Sequence, residues 1–308
     1  MKILFMAAFI AVSTTSFCTA QEKQIAITVD DLPVVNYGID SKDFAKEIVN
    51  KILDGLDRYQ VPAIGYVNEG KLYKKGKKDR ARLNLLENWL QRGYELGNHT
   101  FSHMNYHRSG YNDYTTDIVK GEKVTRPMAK KYGYDLRFFR HPYLKSGSTK
   151  EKADSLQIFL HQKGYVAAPV TIDNDDYLFA KRYSEAYEAG DTAKMRTIGE
   201  AYVKHTEAKL LYFENLTVKM LNRHIRQVFL IHANLLNAHY LEDILKMFSK
   251  NGYTFISQEE ALKDEVYGEE ITAYGDWGIS WIERWALSRG KRGDFFEGEP
   301  ALPELLNE

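Results

Sequence analysis

The segment that sets the fold prediction is QIAITVDD, residues 24–31. Its short β-prone, mostly apolar run predicts a buried strand, and two adjacent carboxylates follow at the carboxyl end of that strand. Similar runs recur along the chain, several of them also followed by polar side chains. We predict seven strands, over residues 24–29, 63–67, 94–97, 136–139, 166–172, 227–231 and 253–256.

Helical patterns alternate with these runs. Residues 41–59, for example, place apolar side chains three or four positions apart, which builds one apolar helix face. Four helical segments end in a Gly-Tyr pair, at Gly93, Gly133, Gly164 and Gly252, where glycine allows a left-handed helix end and tyrosine begins the next strand. The repeated junction predicts an α/β fold, a distorted, TIM-like (β/α) barrel of seven or eight parallel strands.

Two segments depart from the regular alternation. Residues of about 178–225 are polar, rich in Ala, Glu, Lys and Tyr, and carry no strand signal, so we predict a helical insertion in one connection of the barrel. A C-terminal extension of about 265–308 carries Trp277, Trp281 and Trp285 at a spacing of four. This stripe favours packing against the protein itself over sugar stacking. We expect residues 21–308 to form one domain.

The first twenty residues are interpreted as a signal peptide. A short positive start and an apolar stretch precede Cys18-Thr19-Ala20, and cleavage after Ala20 would leave a chain without cysteine. Lipidation at Cys18 is the alternative, although the residues before it match such a site poorly. The sequence therefore predicts an exported protein, periplasmic or extracellular, with no transmembrane segment.

The charge balance is even, with 42 basic and 42 acidic residues. No global field attracts nucleic acid or an anionic membrane, so binding partners have to be deduced from local sites. The basic run at 74–78 is interpreted as a solvated loop, with contact to an anionic glycan as the alternative.

Polar side chains follow five of the predicted strands. Because the carboxyl ends of parallel strands open on one face of a barrel, these side chains are expected to converge. They are Asp30 and Asp31, His99 and His103, Arg140, Asp173 and Asp176, and His232.

Each group has a chemical and a structural interpretation. His99 and His103, four residues apart, form a metal site if a carboxylate joins them, with zinc as the first choice; otherwise the spacing is a coincidence among nine histidines, or the two are polar residues at the surface. Of the adjacent Asp30 and Asp31, one can bind a metal while the other faces the attacking water, although such a pair also begins turns. His232 ends an apolar strand, and is either a general acid or a hydrogen-bonded core histidine. His107 is a further candidate without a strand end to position it.

In order along the chain, five motifs resemble those of the polysaccharide deacetylases of the NodB-homology type, carbohydrate esterase family 4. They are TVDD at 28–31, HTFSH at 99–103, RHPY at 140–143, DNDDY at 173–177 and LIH at 230–232. The family's distorted (β/α) barrel agrees with the alternation described above.

The resemblance implies a metal bound by Asp31, His99 and His103. This metal would be zinc, with cobalt or nickel as alternatives. Asp30 would be the general base that deprotonates the attacking water, oriented by Arg140. A Lewis acid suits an acetamide, which is a poor electrophile.

The resemblance also implies an oxyanion contact from the backbone amide of Tyr143. His232 would protonate the leaving amine, with Asp176 as its carboxylate partner. The expected activity is removal of N-acetyl groups from an N-acetylglucosamine-containing oligo- or polysaccharide. The alternatives are O-deacetylation of a plant glycan such as acetylxylan, or a non-catalytic carbohydrate-binding protein on the same scaffold.

Two residues depart from the family pattern. Leu32 follows the acid pair where the family often has glycine, and Tyr177 stands where tryptophan is usual. The first alters the turn after the strand, and the second changes an aromatic wall near His232. Both departures, together with the helical insertion, bear on the size of the substrate.

Overall fold

Seven parallel strands form the main sheet of the structure, a computed structural model that describes residues 22–306. The predicted signal peptide lies outside the described residues. Two further short strands, β3 and β4, pair as an exposed antiparallel hairpin that contains the basic run. The strands are β1 (Lys23–Leu32), β2 (Ile64–Val67), β3 (Tyr73–Lys74), β4 (Lys77–Lys78), β5 (Glu95–Asn98), β6 (Phe138–Phe139), β7 (Val166–Ala167), β8 (Gln227–His232) and β9 (Tyr253–Phe255).

The sheet runs in the order β7-β6-β5-β2-β1-β8, and β9 pairs with the start of β1. Every strand of this sheet is parallel to its neighbours, as the alternation with helices predicts. The predicted α/β barrel fold is confirmed, and each of the seven predicted strands overlaps a strand of the sheet, although β6 and β7 are shorter than predicted.

The prediction of one continuous strand over 166–172 is wrong, because the strand is interrupted in its middle. Only Val166–Ala167 pairs with β6, whereas Ile172 forms a parallel bridge to Phe229 in β8. Pro169 lies between the two parts and has no N–H to donate to a ladder. This broken segment spans the gap between β7 and β8 and closes the barrel.

Helices cover the outside of the sheet. Their glycine ends agree with prediction, because Gly93, Gly133, Gly164 and Gly252 all have φ between 73° and 87°. The helices are α1 (Lys42–Arg58), α2 (Arg80–Gln91), α3 (Tyr111–Lys120), α4 (Thr125–Lys131), α5 (Lys150–Gln162), α6 (Asp176–Glu188), α7 (Thr192–Leu221), α8 (Leu235–Lys250), α9 (Gln258–Ala261) and α10 (Trp281–Ser288). No helix among residues 22–306 is long and apolar enough to span a bilayer.

Side chains of β1 alternate between two buried environments. Ile25, Ile27 and Val29 belong to the main apolar core, which includes buried residues of α1 and α8. Thr28 and Asp30, at the alternate positions, are also buried but polar. The barrel therefore has an apolar outer layer and a polar interior near the carboxyl end of β1.

Of the two segments outside the regular alternation, the first is largely helical, whereas the C-terminal one contains α10 and is otherwise mostly irregular. Two helices, α6 and α7, occupy the region of the predicted insertion, and α6 begins slightly earlier than expected, at Asp176. Trp277 precedes α10, so the three tryptophans do not lie on one helix. Trp285 is buried in the core, in agreement with the packing interpretation.

The closure of the barrel can be tested at Thr171. Its hydroxyl accepts the Val228 amide at 2.7 Å, and both residues are fully buried. Thr171→Val leaves that amide without its partner, so we expect a loss of about 1–3 kcal/mol in the free energy of unfolding. Urea denaturation measures the change, with the exposed Thr197→Val as the matched control. Equal stability of the two variants would contradict the proposed contribution of this bond.

Candidate active site

The end of β1 separates two adjacent carboxylates. Asp30 still pairs in register with His232 of β8, but the ladder with β2 shifts between Val29 and Leu32. Asp31 lies in this irregular stretch with φ of 69°, a conformation that costs energy for a residue with a side chain. The slip allows the two side chains to contact different groups.

Three side chains from two strand ends form a potential metal site. Asp31 Oδ1 lies 3.6 Å from His99 Nε2 and 3.6 Å from His103 Nε2, and one ligand atom from each residue lies within 4.8 Å of the others. Such spacing suits donors arranged around one ion with bonds of about 2.0–2.2 Å. The structure thus brings together the three predicted ligands.

The protonation states also fit a cation. His99 Nδ1 lies 2.8 Å from the Arg140 carbonyl oxygen, to which it can only donate, so Nε2 keeps its lone pair for a metal. Burial lowers the pKa of both His99 and His103, and His103 adds to the effect on His99. Two neutral imidazoles and one carboxylate fit a divalent ion such as zinc.

Lys71 is a neighbour of this site that the sequence analysis missed. Its ammonium group lies 3.0 Å from the Asp31 carbonyl oxygen and 3.3 Å from Asp31 Oδ2. Burial alone would raise the pKa of Asp31, but Lys71, the two ligand histidines and His232 outweigh burial and hold it far below its ordinary value. Lys71 lies shortly after the end of β2, and no sequence motif marks it. Its position after a strand end is the only signal that could have identified it.

Asp30 occupies a different environment from Asp31. It is 2% exposed, its Oδ2 lies 3.7 Å from His99 Nε2 and 3.8 Å from Arg140 Nη1, and its Oδ1 has no hydrogen-bond partner among the described residues. Burial raises the pKa of Asp30 to about 6, with Arg140 opposing the rise. A carboxylate with a free oxygen and a pKa of this size can accept a proton near neutral pH.

Arg140 is fully buried beneath Asp30. Its Nη2 donates to Thr28 Oγ1 at 3.0 Å, and its guanidinium lies 4.6 Å from the centroid of the Tyr66 ring. The cation therefore rests on an aromatic face on one side and offers an ion pair to Asp30 on the other. This placement orients the Asp30 carboxylate.

On the opposite side of the site, His232 is fixed by Asp176. The His232 Nδ1 atom lies 2.6 Å from Asp176 Oδ1, and the His232 amide donates to Asp176 Oδ2 at 2.9 Å. Asn234 and Asn237 also donate to Asp176 Oδ2, at 3.1 Å and 2.5 Å. Nδ1 of His232 thus holds a proton for Asp176, and Nε2 remains for a substrate atom.

The charge of His232 follows from this pairing. Burial disfavours its protonated form, but the Asp176 carboxylate outweighs burial and raises the pKa of His232 to about 10. The folded protein therefore keeps this proton above pH 6.5, where an unfolded histidine loses it. The stability linked to His232 is fully present below about pH 6.5 and is lost as the pH rises through about 10.

A cavity of about 560 Å³ connects these groups. Tyr143, 53% exposed, lies with its ring centroid 4.4 Å from that of His103, and its φ of 56° turns the backbone into the left-handed region. Tyr177, 49% exposed, makes an edge contact with the His232 ring. The cavity is lined by Asp30, Asp31, Val35, Tyr37, His99, His103, His141, Tyr143, Leu144, Lys145, Asp173, Asp175, Tyr177, Leu230, His232 and Gly278.

Six of the eight predicted site residues line this cavity directly. The other two, Arg140 and Asp176, lie behind Asp30 and His232 respectively. Asn234 and Asn237 were missed, because asparagines on a helix following a strand carry no motif of their own. The structure therefore assembles the predicted set and adds hydrogen-bond partners behind it.

His107, the further metal candidate, is not part of this group. Its Nε2 accepts the Gly147 amide at 3.0 Å, and its Nδ1 lies 3.1 Å from Asp276 Oδ1. It joins two loops instead of binding with His99 and His103.

The departure at Leu32 is accommodated across the sheet. Leu32 is fully buried, and a Cβ on Gly65 would lie 2.2 Å from its Cδ1 atom. The Leu32 side chain thus occupies space that the glycine in β2 leaves open.

Comparisons with known proteins agree with this geometry. The family model described as polysaccharide deacetylase matches residues 18–158. A curated relative, the peptidoglycan-N-acetylglucosamine deacetylase of Bacillus cereus, is 28% identical over 120 residues, which cover 39% of this chain and 36% of the relative. The match thus spans about a third of that relative's length.

Solved structures share the fold at low identity. The polysaccharide deacetylase Bc1974 from Bacillus cereus has a TM-score of 0.53 and 17% identity, with 77% of this chain and 92% of the other covered. The peptidoglycan N-acetylglucosamine deacetylase Bc1960 has a TM-score of 0.52 and 16% identity, covering 79% and 89%. The peptidoglycan deacetylase PdaC from Bacillus subtilis has a TM-score of 0.50 and 20% identity, with 79% of this chain and 93% of the other covered.

These findings confirm the resemblance to the polysaccharide deacetylases, whose family model covers the first three of the five motifs. The predicted enzyme class is that of these similar proteins.

The pairing of His232 with Asp176 can be tested by NMR. Asp176→Asn keeps a hydrogen-bond acceptor for Nδ1 but removes the negative charge, so burial should lower the His232 pKa well below that of the wild type. A titration of the imidazole ¹³C and ¹⁵N resonances in the metal-free protein measures the shift. Asp243→Asn, an exposed aspartate of α8, is the matched control. A His232 pKa near 10 in the Asp176 variant would contradict the assigned cause.

Proposed function

We propose that this homologue of the polysaccharide deacetylases is a metal-dependent hydrolase that removes N-acetyl groups from a glycan containing N-acetylglucosamine. The observation that carries the proposal is one cavity shared by a base-competent carboxylate, a metal-ligand triad and a protonated histidine. A protein that only bound sugars would have no use for all three together. Export of the chain, as its first twenty residues predict, would bring it to cell-surface polymers.

Asp31, His99 and His103 would hold the ion, for which zinc is our first choice. A divalent cation at this position supplies a Lewis acid for the acetyl carbonyl oxygen and lowers the pKa of water. Because the His99 ring is fixed through Nδ1 by the Arg140 carbonyl, its Nε2 faces Asp31 in a single orientation.

Asp30 acts as the general base in this proposal. Its unpartnered Oδ1 accepts the proton of the attacking water, and its pKa near 6 keeps most of the group ionised at neutral pH. Arg140 acts behind it, since the ion pair orients the carboxylate without reaching the substrate.

His232 acts as the general acid. The amide bond breaks only when the nitrogen that leaves receives a proton, and His232 holds one at Nδ1 and one at Nε2 across neutral pH. Asp176 holds the ring through Nδ1, so it is Nε2 that donates towards the substrate nitrogen. The Asp176 carboxylate also stabilises the charge of the imidazolium.

The backbone amide of Tyr143 completes the proposed machinery. Its left-handed φ and the exposed ring next to His103 place this residue at the cavity wall on the metal side. A hydrogen bond from this amide would stabilise the negative charge that develops on the acetyl oxygen.

The base assignment is tested by Asp30→Asn. This variant should keep metal and fold but lose turnover by about 100-fold or more, because general base catalysis contributes about 10²–10⁴ in rate. Acetate release and bound-metal content are measured on the same samples. Asp31→Asn provides the contrast, since it should lose metal together with activity. Full activity of the Asp30 variant would refute the assignment.

The function itself is tested by acetate release from chitooligosaccharides, peptidoglycan and acetylxylan, measured side by side with a chelated control. We expect metal-dependent release from an N-acetylated substrate, lost with chelator and restored by zinc, cobalt or nickel. Release from acetylxylan alone would show O-deacetylation instead. No release from any substrate, together with glycan binding, would favour a non-catalytic binding protein.

A further inference from the structure

We propose that the C-terminal segment 276–284 supports the active site. Within it, Gly278 and Arg284 are positioning residues for the turn that presents the Tyr143 amide. The inference rests on the proposed deacetylation and names which part of the chain determines its oxyanion contact. This segment lies outside residues 18–158, the stretch that the family model matches.

The turn at 141–145 has an unfavourable backbone. Tyr143 and Leu144 have φ of 56° and 53°, and two consecutive residues with side chains in the left-handed region cost energy that surrounding contacts have to offset. Within the turn, two backbone hydrogen bonds close on His141 and Pro142. Its conformation therefore depends on what packs against it.

Gly278 packs directly on the carbonyl of Tyr143. A Cβ on Gly278 would lie 1.9 Å from the Tyr143 carbonyl oxygen and 3.1 Å from its carbonyl carbon. Such contacts are impossible without displacing one of the two backbones. Gly278 also lines the cavity, so the glycine allows the extension to lie against the turn at the edge of the proposed site.

Arg284 holds the next carbonyl of the same turn. It is 1% exposed, and its Nη2 donates to the Leu144 carbonyl oxygen at 2.7 Å and, more weakly, to that of Trp277 at 3.4 Å. The guanidinium also lies 5.0 Å from the centroid of the Trp281 ring. No ion pair with a carboxylate compensates this buried cation within residues 22–306, which is an expensive arrangement for stability alone.

The extension is itself anchored to the barrel. The Trp281 amide donates to the Val170 carbonyl at 2.8 Å, and Ser280 Oγ donates to the Thr171 carbonyl at 2.6 Å. Asp276 forms an ion pair with Lys145 at 2.8 Å. The segment is thus fixed to the barrel-closing strand on one side and to the turn on the other, which makes it a rigid support.

This support has a specific chemical consequence. The Tyr143 amide follows the His141-Pro142 bend, so a displaced Tyr143 or Leu144 carbonyl rotates the peptide planes of the turn. The metal-ligand candidates and the His232–Asp176 pair belong to other segments, and the Arg140 carbonyl that holds His99 comes before the turn at 141–145. Loss of the support should therefore lower kcat and leave KM and metal affinity nearly unchanged.

The experiment compares Gly278→Ala, Arg284→Met and Arg284→Lys with the full-length wild type. The matched control is Arg289→Ala, an exposed arginine at the end of α10 that pairs with Glu269. Acetate release gives kcat and KM, zinc competition gives metal affinity, and circular dichroism reports folding. We expect kcat to fall about 10- to 100-fold for Gly278→Ala and Arg284→Met, somewhat below the cost of deleting an oxyanion donor. Arg284→Lys, which keeps a donor, should recover part of the loss.

The outcomes separate the two proposals. If the wild type releases acetate and the folded variants keep their kcat, the support role is refuted and the deacetylase function stands. Equal losses of kcat and metal affinity would also refute it, because the effect would then be general. If the wild type releases no acetate, the proposed function fails and takes this inference with it. Should Gly278→Ala fail to fold, the difference between Arg284→Met and Arg284→Lys decides.

Discussion

The slip in the β1 ladder is the constraint on which the site depends. β1 is held on both edges, by β8 as far as Asp30 and by β2 on the other side. The change of register with β2 therefore falls at a defined place, between Val29 and Leu32. A regular strand would send alternate side chains to opposite faces, with only one of two adjacent carboxylates inside. The irregular backbone at Asp31 lets both serve the same cavity, one towards the metal ligands and the other above Arg140.

Charge compensation explains the rest of the arrangement. Burial raises the cost of each ionised group, and three acids of the site have different partners: Lys71 for Asp31, Arg140 for Asp30, and His232 with two asparagines for Asp176. Because the partners differ, adjacent carboxylates have pKa values far apart. The pKa of Asp31 is held far below its ordinary value, which suits its proposed role as a metal ligand, while burial raises the pKa of Asp30 to about 6, which suits the proposed base.

Features of the site that depend on local sequence patterns could be predicted from the sequence. Strand ends followed by polar residues located Asp30, His99 and His232, because parallel strands must converge at one face. It did not predict Lys71 or Asn237, whose partners lie 40 and 61 residues away and whose own neighbours carry no periodic signal. The spacing of four between the tryptophans does not reveal that α10 begins only at Trp281, where Ser280 caps it and Gly278 lies against the turn at 141–145. Long-range contacts of this kind depend on the tertiary fold.

The place where the helical insertion begins limits how this chain can be re-engineered or can diverge. Asp176 is both the first residue of α6 and the hydrogen-bond partner of His232, so replacing the whole of α6 and α7 would remove the carboxylate that holds the His232 ring. The turn at 189–191, between α6 and α7, is exposed and does not contact His232. Insertions and deletions, whether natural or engineered, should therefore be tolerated at that turn but not in the first helical turn of α6.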